Sequence, residues 1–491
     1  MLLGVAFAFA LFQIWDLETR WFLVAVAAIC LVAGSVVISP VFSEVLMIGM
    51  FFSISLASFI KWLGTGSLRE DDLGNYVYGG LMGVGVIDGM LLGLYLSWGF
   101  RIFVLREERL PRLILPDLIV LWFIFAELIS IPGSISQLLG LHSVAYLLRF
   151  VAAYVYVSRH IKRHHLPWLL GAFCFTIIGE SALGIVQHTT GKLLGIALDK
   201  GAGGDSLQYQ YNVPGIEQYH RATGTCFDSH SLGLFLAMLI PFPAVMWLVP
   251  PRGSLTLSRR MMFASIAGLG TVGLVLTFSR SAWLGFAAAV LVGLAVMLWV
   301  WKEKQIWKWC GIGLIVALAA SPVFFDYISD KLRSPEGLLT VRFQQYEDAW
   351  HLWERNLITG IGAGNAMEGQ RKYIGLKTGA KILPIHNVIL YIGCEMGVFG
   401  LIGFYGIIYL AMRRLWRIIR TQGNTMESRF ALASWISLVA YSVEGMGTPM
   451  FREMNTFLLF WILVAISTAL PKMHERTLSE RSEQALPAPA T

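Results

Sequence analysis

Three arginines and a histidine stand where an apolar chain gives way to short polar turns. Arg280 lies in LTFSRSAWLG, between two nearly continuous apolar runs, and Arg221 lies in RATGTCFDSH, just before another run. Arg342 opens a polar segment, and His386 closes it at the start of a further apolar run. A charged side chain costs about 2.5–3.5 kcal/mol at the centre of a membrane helix, so charges at these points indicate an interface or a functional site.

The arginines have the chemistry of an anion site. A guanidinium group is planar and donates two parallel hydrogen bonds, which match two oxygens of a phosphate group. We therefore expect Arg280 to act as an anion clamp that faces an internal cavity, with Arg221 near it. The alternatives are an Arg280 side chain that reaches the lipid headgroups, a surface-loop position for Arg221 and a solvated position for Arg342.

His386 is the best candidate for a general base, because an unperturbed imidazole pKa of about 6.5 allows proton acceptance at neutral pH. We expect Asn387 to orient the imidazole. Glu395 lies nearly half a helical turn out of phase with His386, which predicts a structural role in hydrogen bonding. His230 is a further polar candidate at the start of the run that follows Arg221. The alternative for His386 is an interfacial histidine with a structural role.

The segment that follows Arg342 predicts an amphipathic helix outside the membrane. Aromatic residues recur there at helical spacing, and polar residues lie on the other side. The aromatic positions are Phe343, Tyr346, Trp350 and Trp353, and the polar positions are Gln344, Glu347, Asp348 and His351. The glycines of GIGAGN then end the helix. No Gly-Lys-Ser/Thr follows them, so the segment predicts a flexible turn and not a phosphate-binding loop.

The composition excludes an ordinary soluble domain. Hydrophobic residues make up 56% of the 491 residues and charged residues only 14%. The net charge of +7 resides in short loops between apolar runs, so it does not indicate a nucleic acid partner. The five cysteines show no CxxC spacing, and no DxD or HExxH motif appears. The sequence therefore predicts neither a disulfide framework nor a bound metal or cofactor.

We predict an all-α polytopic membrane protein with about 12–14 transmembrane helices. Apolar runs of about 17–25 residues are long enough to cross the hydrocarbon core of a bilayer. The candidate spans lie at about 2–15, 21–38, 44–63, 76–100, 114–132, 141–158, 166–187, 231–249, 261–279, 282–301, 306–323, 387–410, 429–446 and 455–470. The apolar N-terminus lacks a basic region, so no cleaved signal peptide is expected.

Basic clusters alternate along the chain and set the predicted orientation. They lie in the loops near residues 101–112, 159–163, 252–260, 302–308 and 413–420. By the positive-inside rule, these loops face the cytoplasm. Two long polar loops, at about 188–230 and 324–386, then fall on the outer face together with the turn at Arg280. We therefore expect the functional face to lie outside the cytoplasm.

Taken together, these segments resemble the O-antigen ligase/polymerase superfamily of bacterial envelope glycosyltransferases. The matching pieces are, in order, RATGTCFDSHSLGLFL, TFSRSAWLG, VRFQQYEDAWHLWERNLITGIGAGN and HNVILYIGCEMGVFGLIGF. The resemblance covers about residues 165–470. It leaves N-terminal transmembrane helices over 1–164 and a tail over 471–491, which we expect to be disordered and cytoplasmic. The sequence departs from the family pattern at Asp228-Ser229-His230, where Pro-Asn is expected.

The resemblance implies a GT-C-like transferase in the bacterial inner membrane, with an active site that faces the periplasm. Its donor would be a glycan on undecaprenyl pyrophosphate, transferred without a metal and with inversion to a hydroxyl of a glycan or glycolipid acceptor. By this resemblance, the catalytic residues are His386, Arg280 and Arg221. The substrate-binding residues are Arg342, Asn387, His230 and Tyr346.

Several functions stay open at this stage. A ligase moves a finished polysaccharide onto lipid A core or another acceptor, and a polymerase extends one lipid-linked chain with another; the motifs serve the donor chemistry that both share. A transporter or flippase of lipid-linked saccharides is the alternative from another class, because acids occur within or near the spans. These acids are Asp88, Glu127, Glu180 and Glu444. No paired, interrupted helices of the transporter type are evident. A non-catalytic assembly or sensor subunit is the third alternative.

Overall fold

A computed structural model describes most of the helical core of the chain. The described residues are 39–56, 60–62, 83–192, 220–226, 228–250, 256–304, 306–308, 338–374, 385–421, 425–448 and 453–484. The predicted spans at 2–15 and 21–38, and nearly all of the span at 306–323, lie outside these residues. The other predicted spans all overlap helices.

The described part of the chain is all-helical apart from one short antiparallel strand pair. Its α-helices are α1 (Ser39–Phe52), α2 (Val86–Phe103), α3 (Leu115–Ser130), α4 (Gln137–His160), α5 (Leu166–Thr190), α6 (Ser229–Leu239), α7 (Pro241–Leu248), α8 (Leu257–Leu276), α9 (Arg280–Trp299), α10 (Leu338–Trp353), α11 (Ala366–Gly369), α12 (Val388–Thr421), α13 (Met426–Glu444) and α14 (Met454–Gln484). The strands are β1 (Ile60–Trp62) and β2 (Gly83–Gly85). Eight helical segments of these described ranges are long and apolar enough to cross a membrane, so this is a multi-pass membrane protein.

Polar capping side chains mark the two ends of the helix bundle. Ser136, Asp228, Ser279, Thr256 and Thr425 each accept a hydrogen bond from a backbone N–H in the first turn of their helix. Each bond satisfies an N–H group that has no partner within the helix. Because successive helices run in opposite directions, the caps of α4, α6 and α9 lie at one end, called here the Ser279 end. The caps of α8 and α13 lie at the other, the Thr425 end.

Helix α12 is broken at Gly397, whose φ of 60° and ψ of −157° are not helical. The backbone N–H groups of Val398 and Phe399 point instead to the carbonyls of Leu357 and Ile358. A side chain at position 397 would overlap the Ile358 carbonyl, so this approach requires glycine. The chain that follows α10 is therefore bound into the middle of α12.

Helix α14 continues to Gln484, well beyond the predicted end of the last span at about residue 470. It passes through Pro471, which removes one backbone donor without ending the helix. The segment HERTLSERSEQ is rich in Glu and Arg, which favour helix formation. The prediction of a disordered tail over 471–491 is therefore wrong for 471–484, and 485–491 lies outside the described residues.

At the Thr425 end, charged side chains pair within the protein. The Arg159 Nη2 lies 2.5 Å from the Asp117 Oδ2, and the Tyr154 hydroxyl donates to the Asp117 Oδ1. The Arg163 Nε lies 2.8 Å from the Glu427 Oε1. The first pair joins α3 to α4, and the second joins the start of α5 to α13, so these charges stabilise the arrangement of the helices.

Candidate functional site at the Ser279 end

The turn between α8 and α9 lies at the centre of the Ser279 end. Phe278 has a φ of 49°, a left-handed value that is uncommon for a bulky residue and that needs support from the surroundings. Ser279 is fully buried and caps α9. Arg280, the first residue of α9, is exposed. Its side chain is therefore not enclosed in an internal cavity, as we had predicted, but is accessible at the end of the bundle.

Arg221 is buried against this turn. Its Nε donates to the Thr277 carbonyl at 2.9 Å, and its Nη2 donates to the Phe278 carbonyl at 3.3 Å. The next backbone N–H, that of Ala222, donates to the Leu276 carbonyl. These bonds satisfy carbonyl groups at the end of α8 that have no helical partner. Arg221 is thus not a surface-loop residue, because it holds the turn from which α9 begins.

The loop at 220–226 is anchored to α5 by two buried side chains. The Gln187 Oε1 accepts from the backbone N–H of Gly224, and the Gln187 amide donates to the carbonyl of the same residue. The Glu180 carboxylate accepts from the backbone N–H and the hydroxyl of Thr225. Gly224 has a φ of 57°, and a side chain there would overlap the Glu180 carboxylate. Gly224 thus forms a tight turn that no residue with a side chain could adopt without displacing Glu180.

His230 lies in the first turn of α6, beside the buried cap of α9. Its Nδ1 is 2.8 Å from the Ser279 Oγ. Asp228 caps α6 by accepting from the Ser231 N–H at 2.7 Å, and Ser229 is buried. The Asp-Ser-His sequence, which departs from the family pattern, therefore forms a defined cap whose histidine binds the turn before Arg280.

The turn at Gly445–Gly447, directly after α13, connects the other site segments. Its three carbonyl groups accept, in order, from the Val388 N–H at 2.8 Å, the Asn387 side-chain amide at 3.4 Å and the Arg342 guanidinium at 2.7 Å. The Asn387 Oδ1 also accepts from two backbone N–H groups in the first turn of α12 and therefore caps that helix. This turn fixes α10 and α12 to the end of α13.

The His386 ring lies beside that turn and is oriented by α10. Its Nδ1 is 3.1 Å from the Gln345 Oε1, and the Tyr346 hydroxyl donates to the His386 carbonyl at 3.4 Å. With the Gln345 oxygen as acceptor, Nδ1 carries the proton, and the basic lone pair of the neutral imidazole is on Nε2. Gln345, and not the predicted Asn387, therefore orients the ring.

The candidate cations meet at this end of the bundle. Arg221, Arg342 and Arg280 all lie close enough to His230 for their charges to act on its imidazole, and the ring of His386 lies close to it as well. They come from four separate parts of the sequence, and Tyr346 is half-buried among them. Positive groups that converge on one partly exposed surface attract a polyanion and stabilise negative charge that develops there.

Helix α10 lies where the sequence predicted a helix, but its buried and exposed residues differ from the predicted aromatic and polar sides. Its buried residues are Gln345, Ala349 and Leu352, whereas Phe343 and Trp350 are 68% and 50% exposed. The aromatic residues therefore do not form one packed face. The buried face of α10 packs near His386 and Cys394, since the Tyr346 hydroxyl donates to the His386 carbonyl and the Cys394 thiol donates to the Ala349 carbonyl. The two exposed aromatic rings are available to another surface.

The GIGAGN segment is not the flexible turn that we predicted. Gly360, Gly362 and Gly364 have φ values of 68°, 109° and 72°, and most of the segment is buried. Its backbone N–H groups donate to carbonyls at the break in α12, and Asn365 accepts from the Ser136 N–H. Glu395 accepts from a backbone N–H at the start of α11, which agrees with the structural role predicted for it.

The acids within the spans have local contacts. The Asp88 carboxylate pairs with Arg149 at 2.7 Å, and Glu127 accepts from the Ser143 hydroxyl at 3.2 Å. Glu180 is bound to the loop at 220–226. Three of the four acids that kept a transport function open therefore take part in contacts that hold the fold together. The fourth, Glu444, lies at the Ser279 end.

A cluster of three residues with metal-ligand chemistry lies at the Thr425 end, away from the candidate site. Within the described ranges, Glu44, His164 and His165 bring three ligand atoms within 4.8 Å of one another. The Lys162 N–H donates to the His165 Nδ1, which leaves the ring proton on Nε2 and facing Glu44. That protonation does not fit metal binding through Nε2.

Sequence reasoning missed three parts of the site. The turn at Gly445–Gly447 makes its contacts through main-chain carbonyl groups. The feature of the sequence that indicates this turn is its position between two spans on the predicted outer face. Gln345 and Ser279 carry ordinary polar side chains next to more conspicuous arginine and aromatic residues. Their roles follow from contacts between distant segments, which no local pattern contains.

Comparison with known families gives a match within the chain. Residues 264–405 are similar to the O-antigen ligase (Wzy_C) family. The matched range extends from within α8 to within α12 and includes Arg280, Arg342 and His386, whereas Arg221, His230 and the turn at 445–447 lie outside it. Comparison with curated proteins gave no match.

Proposed function

Residues 264–405 form an O-antigen ligase family domain within this multi-pass membrane protein, and on that premise we propose a specific transfer reaction at the Ser279 end. The family supports transfer of lipid-linked glycans of the ligase or polymerase type. The proposed donor is a glycan on undecaprenyl pyrophosphate, and the proposed acceptor is a hydroxyl of a glycan or glycolipid. The observation that carries this proposal is the convergence of three arginines with a histidine whose Nδ1 is bound.

His386 is the general base in this reaction. Its Nε2 takes the proton of the acceptor hydroxyl while that oxygen forms a bond to the anomeric carbon. The bond from the anomeric carbon to the pyrophosphate oxygen breaks on the opposite face, and its electron pair leaves with the pyrophosphate. The anomeric configuration is therefore inverted. The contact with Gln345 supports this role, because it keeps the ring proton on Nδ1.

The arginines stabilise the departing pyrophosphate. Arg280 is exposed at the first turn of α9, where its guanidinium and the helix N-terminus both favour an anion. Arg342 is held by the Gly447 carbonyl and adds a second cation next to His386. Arg221 uses two donors on carbonyl groups, so its main contributions are its charge and the position of the turn before Arg280.

The site faces the periplasm in this proposal, because the basic loops predict that the Thr425 end is cytoplasmic. Undecaprenyl pyrophosphate then presents its glycan in the outer leaflet of the inner membrane. The exposed rings of Phe343 and Trp350 on α10 contact the bilayer surface at the same level. Asn387, His230 and Tyr346 shape the substrate surface between the arginines. A ligase and a polymerase share all these steps and differ in the acceptor alone.

The experiment uses purified protein in lipid nanodiscs with a lipid-pyrophosphate oligosaccharide, in the presence of EDTA. We expect glycan transfer in the wild type and its loss in His386→Ala and Arg280→Ala. His351→Ala and Arg355→Ala are the matched controls, because both residues are exposed on or just after α10. Longer chains on the lipid carrier identify a polymerase, and glycan on an added acceptor identifies a ligase. Wild-type rates in both site variants would contradict the proposal, and loss of transfer in EDTA would contradict its metal independence.

A further inference from the structure

Glu180 is a buried acid of α5 that faces the loop at 220–226 and has no step of its own in the proposed reaction. Its Oε2 accepts from the Thr225 N–H at 2.8 Å, and its Oε1 is hydrogen-bonded to the Thr225 hydroxyl. None of the ion pairs between described residues includes this carboxyl group. Glu180 therefore binds the loop through Thr225 without a paired cation among those residues.

The Thr225 hydroxyl has a second partner in the N-terminal part of the chain. Its Oγ1 lies 2.9 Å from the carbonyl oxygen of Ser55, in the 3₁₀ turn Ile54–Leu56 that follows α1. The Asn455 amide donates to the same carbonyl at 3.5 Å. One peptide carbonyl therefore binds both the loop that carries Arg221 and the start of α14.

A hydroxyl group has one proton to donate, which limits the protonation state of Glu180 that fits both contacts of Thr225. The Ser55 carbonyl can only accept, and so can an ionised carboxylate. If Glu180 were ionised, Thr225 would donate to one oxygen and direct a lone pair at the other. If Glu180 is neutral, its own O–H donates to Thr225, and Thr225 donates to Ser55. Both contacts are then hydrogen bonds.

The surroundings of Glu180 favour the same neutral form. A carboxylate in an apolar interior loses its hydration, and a paired cation is needed to offset that loss. The nearest acid that acts on Glu180 is Glu453, which accepts from the Thr456 N–H at 3.0 Å. A second negative charge on Glu180 would be repelled by the first. Hydrogen-bond geometry and burial thus select the same state.

We propose that Glu180 is a positioning residue for the transfer reaction, which as a neutral acid donates to Thr225 and thereby ties the loop of Arg221 to the segment after α1. This inference rests on the proposed function. Arg221 binds two carbonyl groups of the turn before Arg280, so a displaced loop would displace that turn as well.

The N-terminal part of the chain then contributes to the site without contact to the substrate. Ser55 lies outside residues 264–405, the range that matches the family, and so does the loop that Ser55 binds. The buried line from Glu180 through Thr225 to Ser55 is therefore a support for the site that this chain supplies from outside its family domain.

The first test reads the protonation of Glu180 and does not require glycan transfer. Infrared spectra of the wild type and of Glu180→Gln are recorded in lipid nanodiscs at neutral pH, and their difference isolates the group that the variant lacks. We expect loss of the C=O band of a protonated carboxyl group. Glu107→Gln, which alters an exposed acid, should instead remove the bands of an ionised carboxylate.

Loss of ionised carboxylate bands in Glu180→Gln would overturn the proposal, because an ionised Glu180 cannot donate to Thr225. A Glu180→Gln protein that does not fold would overturn it too. The amide has the shape of the neutral acid, offers a donor to the Thr225 Oγ1 and accepts from the Thr225 N–H, so it should be tolerated.

The second test separates positioning from stability through kcat per folded protein. Glu180→Gln and Thr225→Ser keep both hydrogen bonds and should transfer glycan at nearly the wild-type rate. Glu180→Leu and Thr225→Val remove them and should lower kcat by between about tenfold and a hundredfold, because a small displacement of catalytic groups has a large effect on rate. Thr189→Val, at an exposed position of α5, is the matched control and should change nothing.

Thr225→Val acts through Arg221 in this proposal, so the double variant Arg221→Ala/Thr225→Val should be no slower than Arg221→Ala alone. Wild-type kcat in both Glu180→Leu and Thr225→Val, or additive losses in the double variant, would contradict the positioning role. If the wild type transfers no glycan while the infrared difference is as expected, the proposed function fails, whereas the neutral Glu180 and its bond to Thr225 stand.

Discussion

Two groups of arginines, one at the Thr425 end and one in the candidate site at the Ser279 end, have different partners. At the Thr425 end, Arg159 and Arg163 are bound to carboxylates of the same protein at 2.5 Å and 2.8 Å. At the Ser279 end, Arg342 donates to a main-chain carbonyl, and Arg280 has no ion pair within the described residues. The first arrangement neutralises charge and joins helices. The second keeps net positive charge beside two histidines, which is the arrangement that an anionic substrate requires.

This difference predicts which variants unfold the protein and which inactivate it. The largest effect is expected for Arg159→Ala, which leaves the buried Asp117 carboxylate without its cation. Such a loss costs about 3–5 kcal/mol of stability. Thermal unfolding in detergent should show a clear fall, whereas Arg420→Ala, at an exposed position of the same end, should change stability by less than about 0.5 kcal/mol. Equal unfolding temperatures for both variants would show that the buried pair does not hold α3 to α4.

Arg280→Ala should lower the rate of transfer and leave the stability of the protein nearly unchanged. Removal of one preorganised donor to developing negative charge lowers the rate by about a hundredfold to a thousandfold. The unfolding temperature should stay close to that of the wild type, since the side chain is exposed. Single-turnover transfer and thermal unfolding are measured on the same preparation. A large loss of stability with normal transfer by the folded fraction would reverse the assignment of this arginine to the substrate.

Asn387→Ala tests whether Asn387, at the Ser279 end, stabilises the fold or contacts the substrate. Asn387 caps α12 and also donates to the turn at 445–447, so its loss should cost about 1 kcal/mol of stability. Asn387→Asp keeps the capping oxygen and should lose less. If Asn387→Ala instead lowers transfer as much as Arg280→Ala with no change in unfolding temperature, Asn387 contacts the substrate and is not mainly a cap.

The smallest effect concerns His351, a histidine of α10 that lies outside the site. The hydrogen bond to the Glu354 carboxylate at 2.8 Å raises the pKa of His351 above its usual value. A raised pKa favours the folded protein at pH values below the unfolded pKa, and this contribution is lost as the pH rises through the folded pKa. In an NMR titration, Glu354→Gln should lower the pKa of His351. The pH profile of glycan transfer should not change in that variant; a shift would show that His351 contributes to the profile.

The sequence was sufficient to predict the helical membrane fold and to single out the arginines and the histidine that the structure brings together as a candidate site. Long apolar runs predict spans because the bilayer allows few other structures, and arginines beside such runs are conspicuous. The sequence did not predict how the side chains of the candidate site are oriented. Arg221 was ambiguous until its contacts with the Thr277 and Phe278 carbonyls were known, and the ring of His386 is oriented by Gln345 from another helix. Contacts of this kind depend on how helices pack, which hydropathy and spacing do not determine.

The glycine-rich segment shows the same limit of local patterns. Gly360, Gly362 and Gly364 predict a turn, and the turn exists, but its burial depends on Gly397 in a different helix, where α12 opens its backbone N–H groups to Leu357 and Ile358. The tail beyond residue 470 was misjudged for the opposite reason. Its polar composition indicates disorder, yet its Glu and Arg residues extend a helix that the membrane span has already nucleated.

The turn at Gly445–Gly447 holds its neighbours through oxygen atoms that every amino acid possesses. Replacement of the exposed Met446 side chain leaves the carbonyl that binds Asn387 in place. Related chains can therefore differ at this position and still keep the connection between His386, Arg342 and α13. The turn also couples those parts mechanically, so a displacement of α10 by a bulky acceptor would be transmitted to the start of α12. The same three peptide units therefore tolerate side-chain substitution and transmit a displacement of α10 to α12.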